Sequence, residues 1–437
     1  MRGAVRPESK STFQLPIRSR GVDASQRRCR LSPYIMCAAL AGCVLSTNLQ
    51  SLTGSRGALP SWSMCLFVGV CGSLLVERRR LGEVIAQLTM SPAGIATSVL
   101  LCYIGLCGVA SVAQGDSRFV NSHYVSTIIP LFVVGCLAAH TGSCQYRSQM
   151  PSVLTVVLAI VPGVLALSLI AMDARSIVDG RFLVTSEVPL YQTISDFYLL
   201  FFVATSCLVL EALIQSPPCT SVRTRVAASL ALAASTILGT AAMMFIGSNK
   251  GTLAALVVGT IAVYDASRIV RRRSGSTVVI SSVVAVLLLF LLRPALDSLG
   301  VSTRLNASGP DTDLHAIGSV SSRQEQVTEF LADGWREATL FGRLNLDGYV
   351  HSVPISLLTN LGVIGLFLAC TAFGTAWIGA SRCRRPIARF AALPILLVGA
   401  ASSYFSWGPL WFLLGLLVMS NRCRHREYTR HRSQGHG

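Results

Sequence analysis

The chain has 437 residues, of which 52% are hydrophobic and 13% are charged. Its net charge of +17 comes almost entirely from arginine, since Lys10 and Lys250 are the only lysines. Most of these arginines lie in short stretches between long apolar blocks. This distribution indicates orientation in a membrane and argues against nucleic-acid binding, although the charge alone would permit either.

Fourteen cysteines would suit a disulfide framework in a small secreted protein. Most of them lie inside apolar blocks, where cysteine is a small packing residue. Cys423 and His425 have no CxxC partner, so the sequence offers no cysteine–histidine metal site.

Both ends of the chain are basic. Residues 1–30 lack the apolar segment and the cleavage pattern of a signal peptide, which predicts a disordered cytoplasmic tail. Residues 421–437 are predicted to form a second, basic cytoplasmic tail.

The apolar blocks are close to the roughly 20 residues that a helix needs to cross a bilayer. They predict an all-α polytopic membrane protein with about 12 transmembrane helices, nine within 31–293 and three within 353–420. The predicted spans cover about 33–52, 59–76, 93–113, 124–141, 152–172, 197–214, 226–247, 251–266, 277–293, 353–379, 390–403 and 408–420. The eighth and the last two are short, so these helices could be tilted, or the last two could form a re-entrant hairpin.

Arginine clusters test this count independently, because a missed span would invert every later loop. In the twelve-span prediction all the clusters lie on one side, with both termini cytoplasmic. The weakest connection is the one between the fourth and fifth spans, which carries only Arg147. The two longest opposite loops, near 173–196 and 294–352, are thereby predicted to be extracytoplasmic.

The polar segment 294–352 is the natural place for chemistry in so apolar a chain. Ser322 and Glu325 form a capping-box pattern, and the apolar spacing that follows predicts a short amphipathic helix from Arg323 to about Leu340. In the first turn of that helix Arg323 would add a guanidinium to free amides that already favour anions. The alternative is a surface arginine paired with a nearby glutamate.

A return loop with two glycines, Leu340–Gly348, leads from this segment to the tenth span. His351 follows, and Ser352 with Pro354 predicts the start of the next helix. A histidine held at the membrane interface could act as a general base near neutral pH. The alternative is a histidine whose ring is bonded to a backbone carbonyl.

Two other loops carry cations. Lys250 lies in the predicted external turn Gly247–Gly251, where it could either contact an anion or anchor a helix end by snorkelling. Arg175 and Arg181 lie among acidic residues of the 173–196 loop, as either an ion-pair surface or an anion contact. Glu211 lies near the cytoplasmic end of its span and is not proposed as a proton relay.

Together, these features resemble the bacterial O-antigen ligase and polysaccharide polymerase family. The turn Gly-Ser-Asn-Lys-Gly and the Thr-Leu-Ala-Ala-Leu-Val-Val-Gly that follows are similar to that family's Gly-Ser-Arg-Gly-Ala-Leu run. The other matching residues are Arg323, Gly342, Gly348, His351-Ser352 and Gly362-Val-Ile-Gly365. At the level of motifs, the resemblance covers about residues 226–380.

The sequence departs from the family pattern at two positions. Lys250 stands where the family usually has arginine, so the charge is kept without the bidentate fork of a guanidinium. Ser352 replaces the common asparagine.

The resemblance implies a GT-C-like, metal-independent glycosyltransferase in the bacterial cytoplasmic membrane, with no cofactor. Its donor would be a polyprenyl-diphosphate-linked glycan, its acceptor a glycan or a lipid-linked molecule, and its active site extracytoplasmic. His351 would accept a proton from the acceptor hydroxyl, while Arg323 and Lys250 would stabilise the departing diphosphate. The candidate substrate-binding residues are Arg175, Arg181, Arg336 and Arg343. Membrane lipid and polysaccharide assembly proteins are the other expected partners, and nucleic acid is not.

Several functions stay open. A polymerase that joins lipid-linked repeat units is the first prediction, and a ligase or a protein O-glycosylation enzyme would differ only in its acceptor. A transporter or flippase of lipid-linked glycan would need ionisable residues or broken helices at mid-membrane, of which the sequence shows few. A purely structural or assembly role for the long loop is the last alternative.

Overall fold

A computed structural model shows how these segments pack. The residues that it describes are 31–53, 61–115, 119–139, 150–171, 177–178, 181–182, 190–215, 222–245, 249–271, 327–330, 332, 339–342, 352–383, 385–402 and 404–421. The predicted ninth span, 277–293, and both tails lie outside them.

The regular secondary structure of the described part is helical apart from one short hairpin. Its helices are α1 (Ser32–Thr53), α2 (Trp62–Val76), α3 (Arg79–Met90), α4 (Pro92–Ala113), α5 (Ile129–Ala138), α6 (Met150–Ala171), α7 (Leu190–Gln215), α8 (Val222–Phe245), α9 (Asn249–Arg271), α10 (Val353–Arg382), α11 (Pro386–Phe390), α12 (Ala392–Ser402) and α13 (Gly408–Ser420). A π-helical stretch, Phe119–Ile128, leads into α5. The two strands are β1 (Ile177–Val178) and β2 (Arg181–Phe182), paired antiparallel.

The helices are those of a membrane protein. Five of the described helices are long and apolar enough to cross a bilayer, and five shorter ones are also apolar. The prediction of an α-helical membrane protein is confirmed at this level. The count of twelve spans stays a prediction.

Two predicted boundaries are wrong. The helix α7 begins at Leu190, so Asp196 belongs to the helix and not to the preceding loop. The helix α9 begins at Asn249, so Lys250 and Gly251 lie in its first turn and not in a tight turn between spans. In both cases polar residues at a helix start were assigned to the loop, because apolar blocks do not mark the first helical turn.

The helices α7 and α13 are the most deeply buried. Every residue of α13 is buried, and α5 packs closely along it. Gly135 and Gly415 allow this contact, since a side chain at either position would overlap the backbone of the other helix. Small residues at such a crossing are typical of helix packing in membranes, where close approach increases van der Waals contact.

One end of the bundle, named here the outer end, gathers the N-terminal ends of α2, α7, α10 and α13. The ring of Trp62 lies 5.2 Å from that of a phenylalanine of α7. The indole Nε1 of Trp407 donates a hydrogen bond to the Asp196 carboxylate at 3.0 Å. Gly399, near the end of α12, lies beside both Trp407 and Val353. In the twelve-span prediction these four helices all begin on the same side of the membrane. Their N-terminal ends lie together in the structure, as that prediction requires.

At the opposite, inner end, other elements meet. The side-chain amide of Gln87 donates to the carbonyl of Val418 at 3.1 Å. Arg385, the N-cap residue of α11, forms a buried ion pair with Glu211 of α7 at 3.0 Å. These are the ends that the prediction assigns to the cytoplasm, and that assignment of side stays a prediction.

Arg80 lies at this inner end and is completely buried, unlike its neighbours Arg78 and Arg79. Its guanidinium donates to the carbonyl of Ala139, the C-cap residue of α5, and to that of Cys136 at 3.4 Å. A cation at the carbonyl end of a helix is stabilised by the helix dipole. Arg80 therefore caps the C-terminal end of α5, and its charge is not present only to orient the chain in the membrane.

We expect Arg80→Leu to reduce the free energy of unfolding in detergent by about 2–4 kcal/mol, because two buried carbonyls lose a charged donor. Denaturation midpoints of the purified chain measure this. Arg79→Leu is the control, because Arg79 is exposed. It should change the free energy of unfolding by less than about 0.5 kcal/mol. Equal midpoints for the two variants would contradict the capping role.

Candidate functional site

The end of the polar segment is bound to the middle of α10. Residues 339–342 are neither helix nor strand, and the carbonyls of two of them accept hydrogen bonds from the middle of this helix. The amide of Val363 donates to the carbonyl of Thr339 at 3.2 Å, and the amide of Ile364 donates to that of Leu340 at 3.3 Å. The predicted amphipathic helix is described only at 327–330 and 332, which are helical, and it does not extend to Leu340.

These hydrogen bonds are possible because α10 is broken at Gly362. That residue has φ 72° and ψ −173°, a conformation that only glycine adopts readily. The break frees the first amides of the following half-helix, and the return loop supplies acceptors for two of them. The predicted tenth span is therefore two half-helices, and the prediction of one continuous helix over 353–379 is wrong.

A second glycine faces the first. Gly342 has φ 78°, and a Cβ added to it would lie 2.6 Å from the backbone nitrogen of Gly362. A Cβ on Gly362 would in turn lie 2.6 Å from the carbonyl carbon of Leu340. The two backbones are in direct contact, and neither position has room for a side chain. The sequence motifs pointed to both glycines, but they did not predict that the two glycines are in contact.

The contact lies well inside the span. Gly362 comes nine residues after Val353, where α10 begins, which corresponds to about 14 Å at 1.5 Å per residue. The hydrocarbon core of a bilayer is about 30 Å thick. Residues 339–342 therefore lie against α10 at the depth of the bilayer interior, with Leu340 and Phe341 exposed on the outside of the helices. The sequence predicted only that the return loop brings the chain back to the membrane.

Two polar side chains border the break. The hydroxyl of Tyr103, from α4, donates to the carbonyl of Leu361 at 2.7 Å. Asn360 is completely buried, and its Nδ2 donates to the carbonyl of Ser356 at 2.8 Å and to the hydroxyl of Thr359 at 3.2 Å. No donor in the described part of the chain reaches the Asn360 Oδ1.

The orientation of this amide follows from its partners, since only the NH₂ group can donate to the Ser356 carbonyl. The free Oδ1 can accept a hydrogen bond from water or from a hydroxyl, or it can bind a cation. Sequence reasoning missed both Tyr103 and Asn360. The available signal was the spacing of Ser356, Thr359 and Asn360, which places three polar side chains on neighbouring positions of one helix.

Most of the predicted site residues lie outside the described part. They are Arg175, Arg323, Arg336, Arg343 and His351. Lys250 and Arg181 are described in their backbone only. The roles of all seven residues stay predictions. The structure does describe residues that adjoin some of them in the chain.

His351 and Arg343 adjoin two anchored residues. Arg343 directly follows Gly342, which lies on the break in α10. His351 directly precedes Ser352, which is buried and is the N-cap residue of α10. The predicted helix start at Ser352 and Pro354 is confirmed in position, although the Ser352 side chain makes no capping hydrogen bond. Nine residues, 343–351, thus connect two anchored positions.

The remaining two residues lie on other elements. Lys250 is the second residue of α9, where the positive end of the helix dipole favours an anion. Arg181 opens β2 and pairs with Val178. The link between the strands is Asp179-Gly180, a dipeptide typical of tight hairpins, so the sequence did contain the signal for this hairpin.

No group of three or more histidine, cysteine, aspartate or glutamate side chains that could hold a metal ion occurs among the described residues. Comparison of the chain with protein families, curated proteins and solved structures finds no match. The resemblance to the O-antigen ligase and polymerase family therefore rests on the sequence motifs alone.

Proposed function

We propose that the chain is an integral membrane glycosyltransferase that polymerises polyprenyl-diphosphate-linked repeat units into a surface polysaccharide. In this proposal it has twelve spans, both termini are cytoplasmic, and the reaction takes place at the external face of a bacterial cytoplasmic membrane. The observation that carries it is the anchoring of the nine-residue segment 343–351 at both ends, on Gly342 and Ser352. Catalysis needs reacting groups held in position, and a short segment with two anchored ends supplies this.

The proposed reaction needs a base and an anion site. His351 accepts the proton of the acceptor hydroxyl as its oxygen bonds to the anomeric carbon of the donor sugar. The bond from that carbon to the diphosphate oxygen breaks at the same time, and Arg323 with Lys250 stabilises the departing charge. Arg336 and Arg343, in the same polar segment, contact the diphosphate or the glycan. Because the cations neutralise the leaving group, this mechanism uses no metal ion.

The 173–196 loop has a lesser part in the proposal. Arg175 and Arg181 guide the anionic donor towards the site, and Arg181 belongs to the hairpin of β1 and β2. The ligase alternative uses the same donor chemistry and differs in the acceptor, which the final location of the glycan would distinguish.

A transporter of lipid-linked glycan is the second candidate function. The observation that favours it is the break in α10 at Gly362, bordered by Tyr103 and the buried Asn360. Broken helices with free polar groups at mid-membrane form the substrate and ion sites of many transporters. The same break also has a structural reason, because it binds the return loop, and the glycosyltransferase proposal uses it in that way.

We expect His351→Ala to lower polymer formation by roughly 10²–10⁴-fold, the usual contribution of a general base. The variant is expressed in a strain that lacks this gene, at a membrane level equal to that of the wild-type chain, and the glycan ladder is measured. His315→Ala is the matched control, because it removes a histidine of the same polar segment that has no proposed role. Wild-type chain lengths from His351→Ala would exclude it as the base.

The same strains separate the two candidate functions. If the chain is a polymerase, unpolymerised lipid-linked units accumulate on the external leaflet, where an added glycosidase can reach them. If it is a transporter, the units stay on the cytoplasmic leaflet and are protected until the cells are broken.

A further inference from the structure

The helix α3 lies across the inner end of the bundle and does not run along it. Arg80 bonds to the C-cap residue of α5, Ala139, and Gln87 bonds to Val418 in the last turn of α13. Seven residues separate these two side chains, which is about 10 Å along a helix. Because α3 contacts the ends of two different apolar helices in this way, its axis crosses theirs.

The two faces of α3 have the opposite polarity to those of a helix on a water-soluble protein. Its inward face carries Arg80, Glu83 and Gln87, which are buried or nearly so. Its outward face carries Leu81 and Ile85, whose exposed fractions are 50% and 52%. An apolar outer face is stable against hydrocarbon and unfavourable in water, so this face belongs in the lipid layer.

Arg78 and Arg79 indicate the depth at which α3 lies in the bilayer. Both are exposed, and neither forms an ion pair with a described residue. On the α2 side they follow Leu75 and Val76, which are 71% and 56% exposed. Two guanidinium groups thus lie between the apolar surface of α2 and the apolar outer face of α3. In a bilayer this is the level of the lipid phosphates.

We propose that the start of α3 binds an anionic phospholipid. Its phosphate contacts Arg78 and Arg79, and its acyl chain lies along Leu81 and Ile85. Arg78, Leu81 and Ile85 are spaced by three and four residues, so the cation and the two apolar side chains share one helix face. The combination of cations with lipid-facing apolar side chains favours a lipid over a soluble partner. This surface is separate from the proposed glycosyltransferase site and does not depend on it.

The test is native mass spectrometry of the full chain in detergent, titrated with phosphatidylglycerol or with zwitterionic phosphatidylcholine. The double variant Arg78→Gln/Arg79→Gln should bind phosphatidylglycerol roughly thirtyfold more weakly, with phosphatidylcholine binding unchanged. The control is Arg223→Gln/Arg382→Gln, which removes two exposed arginines, one at the start of α8 and one at the end of α10, that the twelve-span prediction places on the same side. An unchanged affinity in the first variant, or an equal loss in the control, overturns the proposal.

A second measurement identifies the occupant of the apolar face. Ile85→p-benzoylphenylalanine is introduced into the full chain, and membranes from the expressing cells are illuminated. A phospholipid adduct on the chain is the expected product. An adduct with another protein, or with a second copy of the chain, overturns the proposal in favour of a protein interface.

Discussion

Gly362→Ala is expected to destabilise the folded chain by about 3 kcal/mol or more. At φ 72° and ψ −173° a residue with a side chain is strained by about 1–3 kcal/mol. The added Cβ also overlaps the return loop at Leu340, so the hydrogen bonds from Val363 and Ile364 to the loop are lost as well. Thermal or denaturant unfolding in detergent measures the effect.

The same helix contains the control for this experiment. Nothing lies within 4 Å of a Cβ placed on Gly374, so Gly374→Ala should leave the unfolding midpoint almost unchanged. Gly342→Ala should behave like Gly362→Ala, because it has the same sign of φ and the same contact. If Gly362→Ala and Gly374→Ala unfold alike, the break and the bound return loop are not features of the folded protein.

The first variant also bears on the proposed function. Once residues 339–342 are released from α10, Gly342 no longer anchors one end of the segment 343–351, and the proposed role of His351 depends on that anchoring. We therefore expect glycan polymerisation to fall even in the fraction of Gly362→Ala that remains folded.

Removal of one partner from the ion pair between Glu211 and Arg385 should have an effect of similar size. Both side chains are buried, and the pair links α7 to the start of α11. Breaking such a pair typically costs about 3–5 kcal/mol, because one charge remains buried without its partner. Glu211→Gln should be the more harmful change, because it leaves the Arg385 guanidinium buried without this carboxylate, and a guanidinium always keeps its charge.

A double-mutant cycle distinguishes this ion pair from ordinary packing. Glu211→Gln/Arg385→Gln removes both charges of this pair, so its free energy of unfolding should be well above the value expected if the two single losses simply added. Arg382→Gln, an exposed arginine at the end of α10, controls for the general loss of positive charge. Strict additivity of the single losses would show that the two side chains do not interact.

Much of the helical pattern could be predicted from the sequence because bilayer thickness sets the length of an apolar block. Serine followed by proline likewise marks the start of α10, since the cap and the first turn use only neighbouring residues. The importance of Gly342 and Gly362 was also visible as a motif. Their contact was not, because a glycine within an apolar run gives no sign that a distant loop binds there.

The role of Arg80 shows the same limit. Three consecutive arginines predict a segment on the cytoplasmic side, and nothing in the triplet separates the buried member from the two exposed ones. Only the position of the α5 carbonyls makes that distinction. Asp196 was assigned to a loop for a related reason, since its partner Trp407 lies more than two hundred residues further along the chain.

The sequence by itself determined that this is a membrane protein whose polar residues concentrate in segment 294–352. Those properties follow from composition and local spacing, because the preference of a segment for hydrocarbon or for water depends on its own residues. The tertiary structure alone decided that α10 breaks at Gly362, that the start of the return loop binds at this break, and that α3 turns its apolar face outward. Each of these depends on a backbone carbonyl or amide that finds its partner on another element, and no local pattern records that pairing.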